Sequence, residues 1–241
     1  MGVPYFTTLI FKYLFSIRDL TKSVNLTNQN VIIDGYSLFY FIYYTIKGTD
    51  KYKSINEKII GTNFPYDSLS KEFRSILKQF KKNCLNVEVV FDGISESNKH
   101  RRPDPQRDST VQFENGRSRL SPLLLDQLKS ILNDLNIKVR TAPDEADPMI
   151  VQLARKHNAY IVARDSDYFL YEAIKGYVPL DTLEFSTLQG GYYRMEDVFR
   201  GMTQEGVALW VTTIAYEFIK LDILQVIQHP LLSNKIFKMF L

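Results

Sequence analysis

Six acidic residues lie where apolar, strand-like segments end or where the helix between two such segments begins. They are Asp34, Asp92, Glu145, Asp147, Asp165 and Asp167. Asp34 and Asp92 each follow a short run of β-branched and aromatic residues, VII and VVF, and each precedes a glycine. The carboxyl ends of parallel strands lie at one edge of a sheet, where open α/β sheets bind their ligands. We therefore expect the six side chains to converge at one sheet edge.

A cluster of this kind carries an electrostatic penalty that indicates its chemistry. At an effective dielectric constant of about 20, two like charges about 4 Å apart repel by roughly 4 kcal/mol. The carboxylates must then be protonated or neutralised by a cation. Ligands that are all oxygen suit Mg²⁺ or Mn²⁺ rather than Zn²⁺. Two such ions can stabilise both the attacking and the leaving oxygen of a phosphodiester.

A purely structural interpretation exists for each piece of the pattern. In the segment 141–170, Asp144 is predicted to be the N-cap of a helix that ends at His157 and Asn158. Acids in a first helical turn also suit the helix dipole. Asp165 and Asp167, two residues apart in a segment expected to be extended, could be ordinary turn residues. Each piece alone favours the structural interpretation, and only the combination favours a site.

The elements that must position these acids alternate between strands and helices. Apolar runs predict strands at 31–35, 87–91, 137–140, 159–163 and 176–180. Helical periodicity predicts helices at 6–20, 36–46, 66–82, 122–136, 195–201 and 207–227, with polar loops at 47–65 and 94–119. This alternation predicts an α/β fold with a mostly parallel central sheet and helices on both faces.

Composition narrows the class of protein. The chain is long enough for one large α/β domain, and 45% of its residues are hydrophobic and 24% are charged. The net charge of +3 is compatible with a nucleic-acid partner. A single cysteine, Cys84, excludes an internal disulfide and fits a reducing compartment, and the three histidines form no zinc pattern. We find no signal peptide and no membrane-spanning run, so we expect an intracellular protein of the nucleus or cytoplasm that is not secreted.

The ordered motifs VIIDG, VVFDG, APDEAD and ARDSD resemble those of the flap-endonuclease/XPG nucleases, which have a PIN-like fold. The segments FPYDSLSKEF, APDEADPMIVQLA, ARDSDYFLY and GYVPL are more specifically similar to the asteroid branch of that group. The resemblance covers about residues 1–200, which we expect to form one PIN-like nuclease domain. We expect residues 201–241 to be a divergent helical tail of the same domain, and truncation is one explanation of that divergence.

The resemblance implies a role for each acid. Asp34, Asp92, Glu145 and Asp147 correspond to ligands around a first Mg²⁺ or Mn²⁺ ion, and Asp165 and Asp167 to ligands of a second. The family closes its metal site with one more aspartate, for which Asp222 is the single later candidate beyond Asp197. The context of Asp222 is helical and amphipathic, which favours a surface position instead.

The resemblance also implies where a nucleic acid would be bound. Gly2 would lie near the active site, and the basic loop 94–119 occupies the place where the family grips phosphates. The basic residues that we single out in that loop are Lys99, Arg101, Arg102 and Arg107. The alternative is a solvated loop without such a role.

Three functional hypotheses follow from these observations. The first is a metal-dependent nuclease that hydrolyses DNA or RNA, with structure-specific cleavage as one option. The second is a catalytically impaired nuclease-like domain that acts as a nucleic-acid-binding or protein-interaction scaffold. The third is another phosphoryl-transfer enzyme of doubly wound fold. The third is disfavoured because no second aspartate stands two residues after Asp34 and no glycine-rich phosphate loop follows a strand.

Overall fold

A computed structural model describes residues 22–47, 66–93, 122–172, 174–203 and 205–208. The predicted helix at 6–20 and the predicted loop at 94–119 lie outside the described residues, as do nearly all of the loop at 47–65 and of the helix at 207–227. Gly2, Asp222 and the four basic residues of the 94–119 loop also lie outside them.

The central element is a parallel sheet of five strands in the order β4-β3-β2-β5-β6. All four neighbouring pairs are parallel. The strands are β2 (Asn30–Asp34), β3 (Asn86–Phe91), β4 (Lys138–Thr141), β5 (Tyr160–Ala163) and β6 (Gly176–Pro179). The five strands predicted from apolar runs are these five, so the predicted α/β class with a parallel sheet is confirmed.

Helices cover both faces of this sheet. One face packs against α1 (Gly35–Lys47), α2 (Tyr66–Asn83) and α3 (Pro122–Asp134), and the other packs against α4 (Ala146–His157). Successive residues of β2 alternate between the two layers, because Val31 and Ile33 belong to the first core cluster and Ile32 to the second. Burial on both faces explains the apolar runs in β2, β3 and β5, whereas the edge strand β4 (KVRT) is only partly buried.

Two short strands were not predicted. β1 (Ser23–Asn25) pairs antiparallel with β7 (Gln189–Gly191) in a separate two-stranded sheet. Their sequences, SVN and QGG, contain one apolar side chain between them, so no hydrophobic pattern marks them. The predicted helix at 195–201 is also shorter, and α5 is confined to Met195–Val198.

Gly35, predicted at the end of the 31–35 strand, is instead the first residue of α1. A Cβ atom at Gly35 would lie 2.4 Å from the Phe91 ring, so the glycine allows close packing of the helix start on β3. The C-terminal end of α4 is where the sequence predicts it. Asn158 follows the helix and ends it by adopting the left-handed conformation, with φ 46°. Within the described ranges, no helix is long and apolar enough to cross a membrane.

Candidate metal centre

The sheet reverses its direction of winding between β2 and β5. From β2 the chain moves outward to β3 and β4, and it then returns to place β5 on the other side of β2. In doubly wound sheets such a switch point opens a crevice at the carboxyl ends of the strands, which is where ligands bind. Asp34 ends β2, Asp92 follows β3, and Asp165 stands two residues after β5.

Strand alternation directs these three acids to the same side of the sheet. Each stands two residues after a member of the core cluster that packs on α4: Asp34 after Ile32, Asp92 after Val90 and Asp165 after Ala163. Residues two apart in an extended segment share a face. The first turn of α4, which carries Asp147, lies on that same face.

Asp147, Asp165 and Asp167 form the tightest part of this group. Each can offer one carboxylate oxygen so that all three oxygens lie within 4.8 Å of one another. Asp165 is the N-cap of a 3₁₀ helix (Ser166–Leu170), and its Oδ1 accepts a hydrogen bond from the Asp167 N–H at 3.1 Å. The expected extended segment is therefore a single helical turn from Ser166 onward. This donor set, all oxygen and half-buried, fits a hard divalent cation.

Asp34 is buried beside this group. Its carboxylate accepts two hydrogen bonds from Ser37, from the backbone N–H at 3.0 Å and from the hydroxyl at 2.8 Å. Burial raises the pKa of Asp34 to about 6, although the Ser37 hydrogen bonds act in the opposite direction. The charges of Asp147 and Asp92 raise this pKa further, which shows that the three carboxylates share one electrostatic environment.

The pKa of Asp147 is raised by the same two causes, burial and neighbouring carboxylates. Burial raises the pKa of its carboxyl, and the charges of Asp165 and Asp92 add to that effect. The hydroxyl of Tyr168 donates a hydrogen bond to Asp147 Oδ1 at 2.7 Å, which lowers the pKa in part.

Asp92 has a structural contact as well as a place in the acidic group. Its Oδ1 accepts a hydrogen bond from the backbone N–H of Ala146, the first residue of α4, at 2.7 Å. Asp92 therefore satisfies one of the N–H groups that a helix start leaves without an intrahelical partner.

The prediction that Asp144 caps α4 is wrong. Glu145 occupies the N-cap position in an extended conformation, and its side chain makes no capping hydrogen bond. The Asp144 carbonyl accepts a hydrogen bond from the Gly93 N–H at 2.8 Å, which ties this loop to the end of β3. A Cβ at Gly93 would lie 2.0 Å from the Ala142 carbonyl oxygen, so only glycine permits this approach.

Glu145 is exposed, and its charge acts on Tyr171 together with the charges of other acids in this group. Burial raises the pKa of Tyr171, and four carboxylates raise it further. These carboxylates are Asp147, Asp167, Glu145 and Asp165. All six predicted acids follow a strand end or stand at the start of α4, and the structure brings the carboxylates of Asp147, Asp165 and Asp167 together.

Three residues of this centre were not singled out from the sequence: Ser37, Tyr168 and Tyr171. Ser37 stands three residues after Asp34 at the start of α1, a spacing typical of side chains that bond near a helix start. The tyrosines directly follow the Asp165–Asp167 motif, but their aromatic character predicts core packing equally well.

The chain is similar to two curated proteins and to several solved structures. No family model matches the chain. It is 26% identical over 188 residues to the Single-strand DNA endonuclease ASTE1 of Danio rerio, covering 75% of this chain and 25% of that protein. It is 24% identical over 178 residues to Asteroid homolog 1 of Schizosaccharomyces pombe, covering 71% of this chain and 31% of that protein. The chain thus spans about a quarter to a third of the length of these relatives.

Solved structures agree on the fold. The catalytic core of Rad2 in complex with DNA substrate superposes with TM-scores of 0.58 and 0.56 in two complexes, at 18% and 16% identity. Each superposition covers 87% of this chain, and 60% and 59% of the respective Rad2 chains. The fold is that of the XPG/flap-endonuclease-like PIN nucleases. The predicted resemblance to the asteroid branch of these nucleases is confirmed by the two curated relatives.

Proposed function

We propose that this chain is a divalent-metal-dependent nuclease domain that hydrolyses phosphodiester bonds of DNA or RNA. The observation that carries the proposal is the group of Asp147, Asp165 and Asp167, whose oxygens lie within 4.8 Å at the switch point of the sheet. Acidic side chains gathered at such a crevice favour a cation and not an anion as the bound species, and in the described ranges the nearby Arg164 pairs with Asp181.

We assign metal-ligand roles to all six acids, with two ions of Mg²⁺ or Mn²⁺. Asp34, Asp92, Glu145 and Asp147 surround the first ion, and Asp165 and Asp167 hold the second. Asp147 also belongs to the close group with Asp165 and Asp167, so it would be available to either ion. Bound ions of this kind supply Lewis-acid stabilisation of the phosphoryl group and a nucleophilic water at neutral pH.

The chain itself holds its carboxylates in place before any cation binds. Ser37 fixes Asp34, the Ala146 N–H fixes Asp92, and the Asp167 N–H fixes Asp165. Backbone and hydroxyl donors of this kind orient ligands without adding a competing positive charge. Oxygens of Asp147, Asp165 and Asp167 lie within 4.8 Å of one another, and a cation would relieve the repulsion between them.

The partner that we propose is a nucleic acid. One curated relative is named a single-strand DNA endonuclease, so single-stranded DNA is the first substrate to test. Gly2 and the basic residues Lys99, Arg101, Arg102 and Arg107 are the candidate phosphate contacts.

A nuclease assay with a matched pair of variants tests the proposal. Single-stranded, hairpin and flap substrates, as DNA and as RNA, are incubated with Mg²⁺, with Mn²⁺ or with chelator. We expect cleavage only with metal, and a loss of at least about a hundredfold in Asp165→Asn, because that change removes a charged ligand from the group. Asp181→Asn is the control, since Asp181 follows β6 at the same edge but pairs with Arg164.

The assay has clear contrary outcomes. Cleavage that survives chelation, or that is lost equally in both variants, contradicts the metal-site assignment. Absence of cleavage in the wild type on every substrate supports the alternative, in which the domain is a nuclease-like scaffold.

A further inference from the structure

Tyr168 joins two elements of the candidate metal centre. It is the residue after Asp167 in the 3₁₀ helix, and it is completely buried, at 0% exposure. Its ring packs between Tyr171 and Tyr177, with centroid separations of 6.0 and 5.6 Å. Its hydroxyl donates to Asp147 Oδ1 on α4 at 2.7 Å. The residue next to one acid of the group thus holds a second acid that comes from a different element.

The type of donor matters as much as the contact. A lysine or arginine at this place would neutralise Asp147 and compete with a cation for it. A tyrosine hydroxyl is neutral, so it fixes one oxygen while the negative charge of the group is retained. The ring cannot move without disturbing its aromatic neighbours, so the donor is held in one place. The hydrogen bond consequently fixes the position of Asp147 Oδ1, and with it the orientation of the whole carboxylate group.

We propose that Tyr168 is a positioning residue for the metal centre, which orients the Asp147 carboxylate for cation binding. The inference rests on the proposed function, because it assigns Asp147 as a metal ligand. Tyr168 touches neither substrate nor cation in this account and acts through Asp147 alone. A buried tyrosine hydroxyl also needs a hydrogen-bond partner for stability, and the test must separate that role from positioning.

Tyr177 provides a matched control. It is buried to a similar degree, at 1% exposure, and belongs to the same core cluster. Its hydroxyl donates to the backbone carbonyl of Ala163 at 3.4 Å and not to an acid of the group. Tyr168→Phe and Tyr177→Phe therefore each remove one buried hydroxyl and keep the ring, but only the first removes a contact to Asp147.

The experiment measures Mn²⁺ binding by titration calorimetry, after circular dichroism in chelator has established that each variant is folded. We expect the Kd for Mn²⁺ to rise by about tenfold to a hundredfold in Tyr168→Phe, the usual effect of losing a partner of a metal ligand. We expect Tyr177→Phe to change the Kd by less than about twofold. Added to Asp147→Asn, Tyr168→Phe should have no further effect on the Kd, because its only route to the cation is gone.

The outcomes separate the two proposals. If the wild type binds Mn²⁺ and Tyr168→Phe binds it equally well, or if both Phe variants weaken binding to the same extent, the positioning role is overturned and the proposed function stands. If Tyr168→Phe weakens binding further in the Asp147→Asn background, the effect does not pass through Asp147 and the inference is again wrong. If the wild type binds no Mn²⁺, the proposed function fails and this inference fails with it. Nuclease turnover gives a second readout, since Tyr168→Phe should recover activity as the Mn²⁺ concentration is raised.

Discussion

The Asp34 carboxylate shows what the acidic group does to a single residue. Only 8% of Asp34 is exposed, and burial raises its pKa from 3.8 to about 6. In the unfolded chain the same carboxyl ionises near its ordinary value. The folded state therefore holds its proton more tightly than the unfolded state between about pH 4 and pH 6. This group's contribution to stability is complete below about pH 4 and is lost as the pH rises through about 6.

We predict that Asp34→Asn stabilises the metal-free protein at pH 7 by roughly 2 to 3 kcal/mol. The amide can still accept from the Ser37 N–H and can donate to the Ser37 hydroxyl, so the hydrogen bonds are kept while the buried charge is removed. The loss of stability between about pH 4 and pH 6 should become smaller in the variant. Urea denaturation in chelator across that range measures both effects.

Asp197 is the control for this prediction, because its shift has the opposite sign. The hydrogen bond from Arg194 lowers the pKa of Asp197, so its contribution to stability is present at neutral pH and lost on acidification. Asp197→Asn should therefore lower stability at pH 7. An Asp34→Asn variant that also loses stability at pH 7, with an unchanged pH profile, would contradict the burial argument.

At the scale of elements, the start of α4 is set by a contact from another strand. The Ala146 N–H donates to Asp92, and the Asp144 carbonyl accepts from Gly93, so the helix begins against the end of β3. Local sequence favoured Asp144 as the cap, because aspartate before a periodic segment is a common N-cap. A partner 54 positions away in sequence cannot be recognised from the local pattern.

We predict that Asp92→Ala is less stable than Asp92→Asn by about 1 kcal/mol in chelator, the usual loss for a helix cap. Both variants remove the charge, and only Asn keeps an acceptor for the Ala146 N–H. Asp144→Ala should stay within about 0.5 kcal/mol of the wild type, because its exposed side chain is not the cap. Thermal unfolding of the three variants measures these differences in stability. A loss of stability in Asp144→Ala larger than about 0.5 kcal/mol would indicate that Asp144 is the cap.

The elements that the sequence predicted well share one property. The strands at the centre of the parallel sheet are buried on both faces and contain uninterrupted apolar runs, as in VII before Asp34 or VVF before Asp92. β1 and β7 are paired through backbone groups of polar and glycine residues, which leave no such pattern. The acids of the candidate centre were found because they stand where apolar runs end or where the helix between two such runs begins. Tyr168 was not found, because its role depends on which residue its hydroxyl meets after folding.

At the scale of the whole molecule, the proposed function requires an acidic crevice to receive a polyanion. The net charge of the chain is only +3, and the acids at the sheet edge repel phosphates when no cation is bound. Within the described ranges, Arg164 lies at this edge but pairs with Asp181. The 94–119 segment is a concentration of positive charge in the sequence, with Arg101 and Arg102 adjacent to each other. Binding of the substrate backbone should therefore depend on that segment.

We predict that replacing Arg101 and Arg102 together by Ala reduces the salt dependence of nucleic-acid binding. Each phosphate contact contributes about 0.9 to the slope of log affinity against log salt on duplex and about 0.7 on a single strand. In the double variant, the slope of log affinity against log salt should decrease by the contribution of about two phosphate contacts. Its affinity at low salt should fall equally for nucleic acids of every base sequence. Fluorescence anisotropy in chelator measures both the slope and the affinity while cleavage is suppressed.

The control is the double variant Lys71→Ala with Lys78→Ala, which removes two exposed charges on α2. An equal loss of slope in the control would assign the effect to net charge, and an unchanged slope in the Arg101 and Arg102 variant would exclude the segment from phosphate binding.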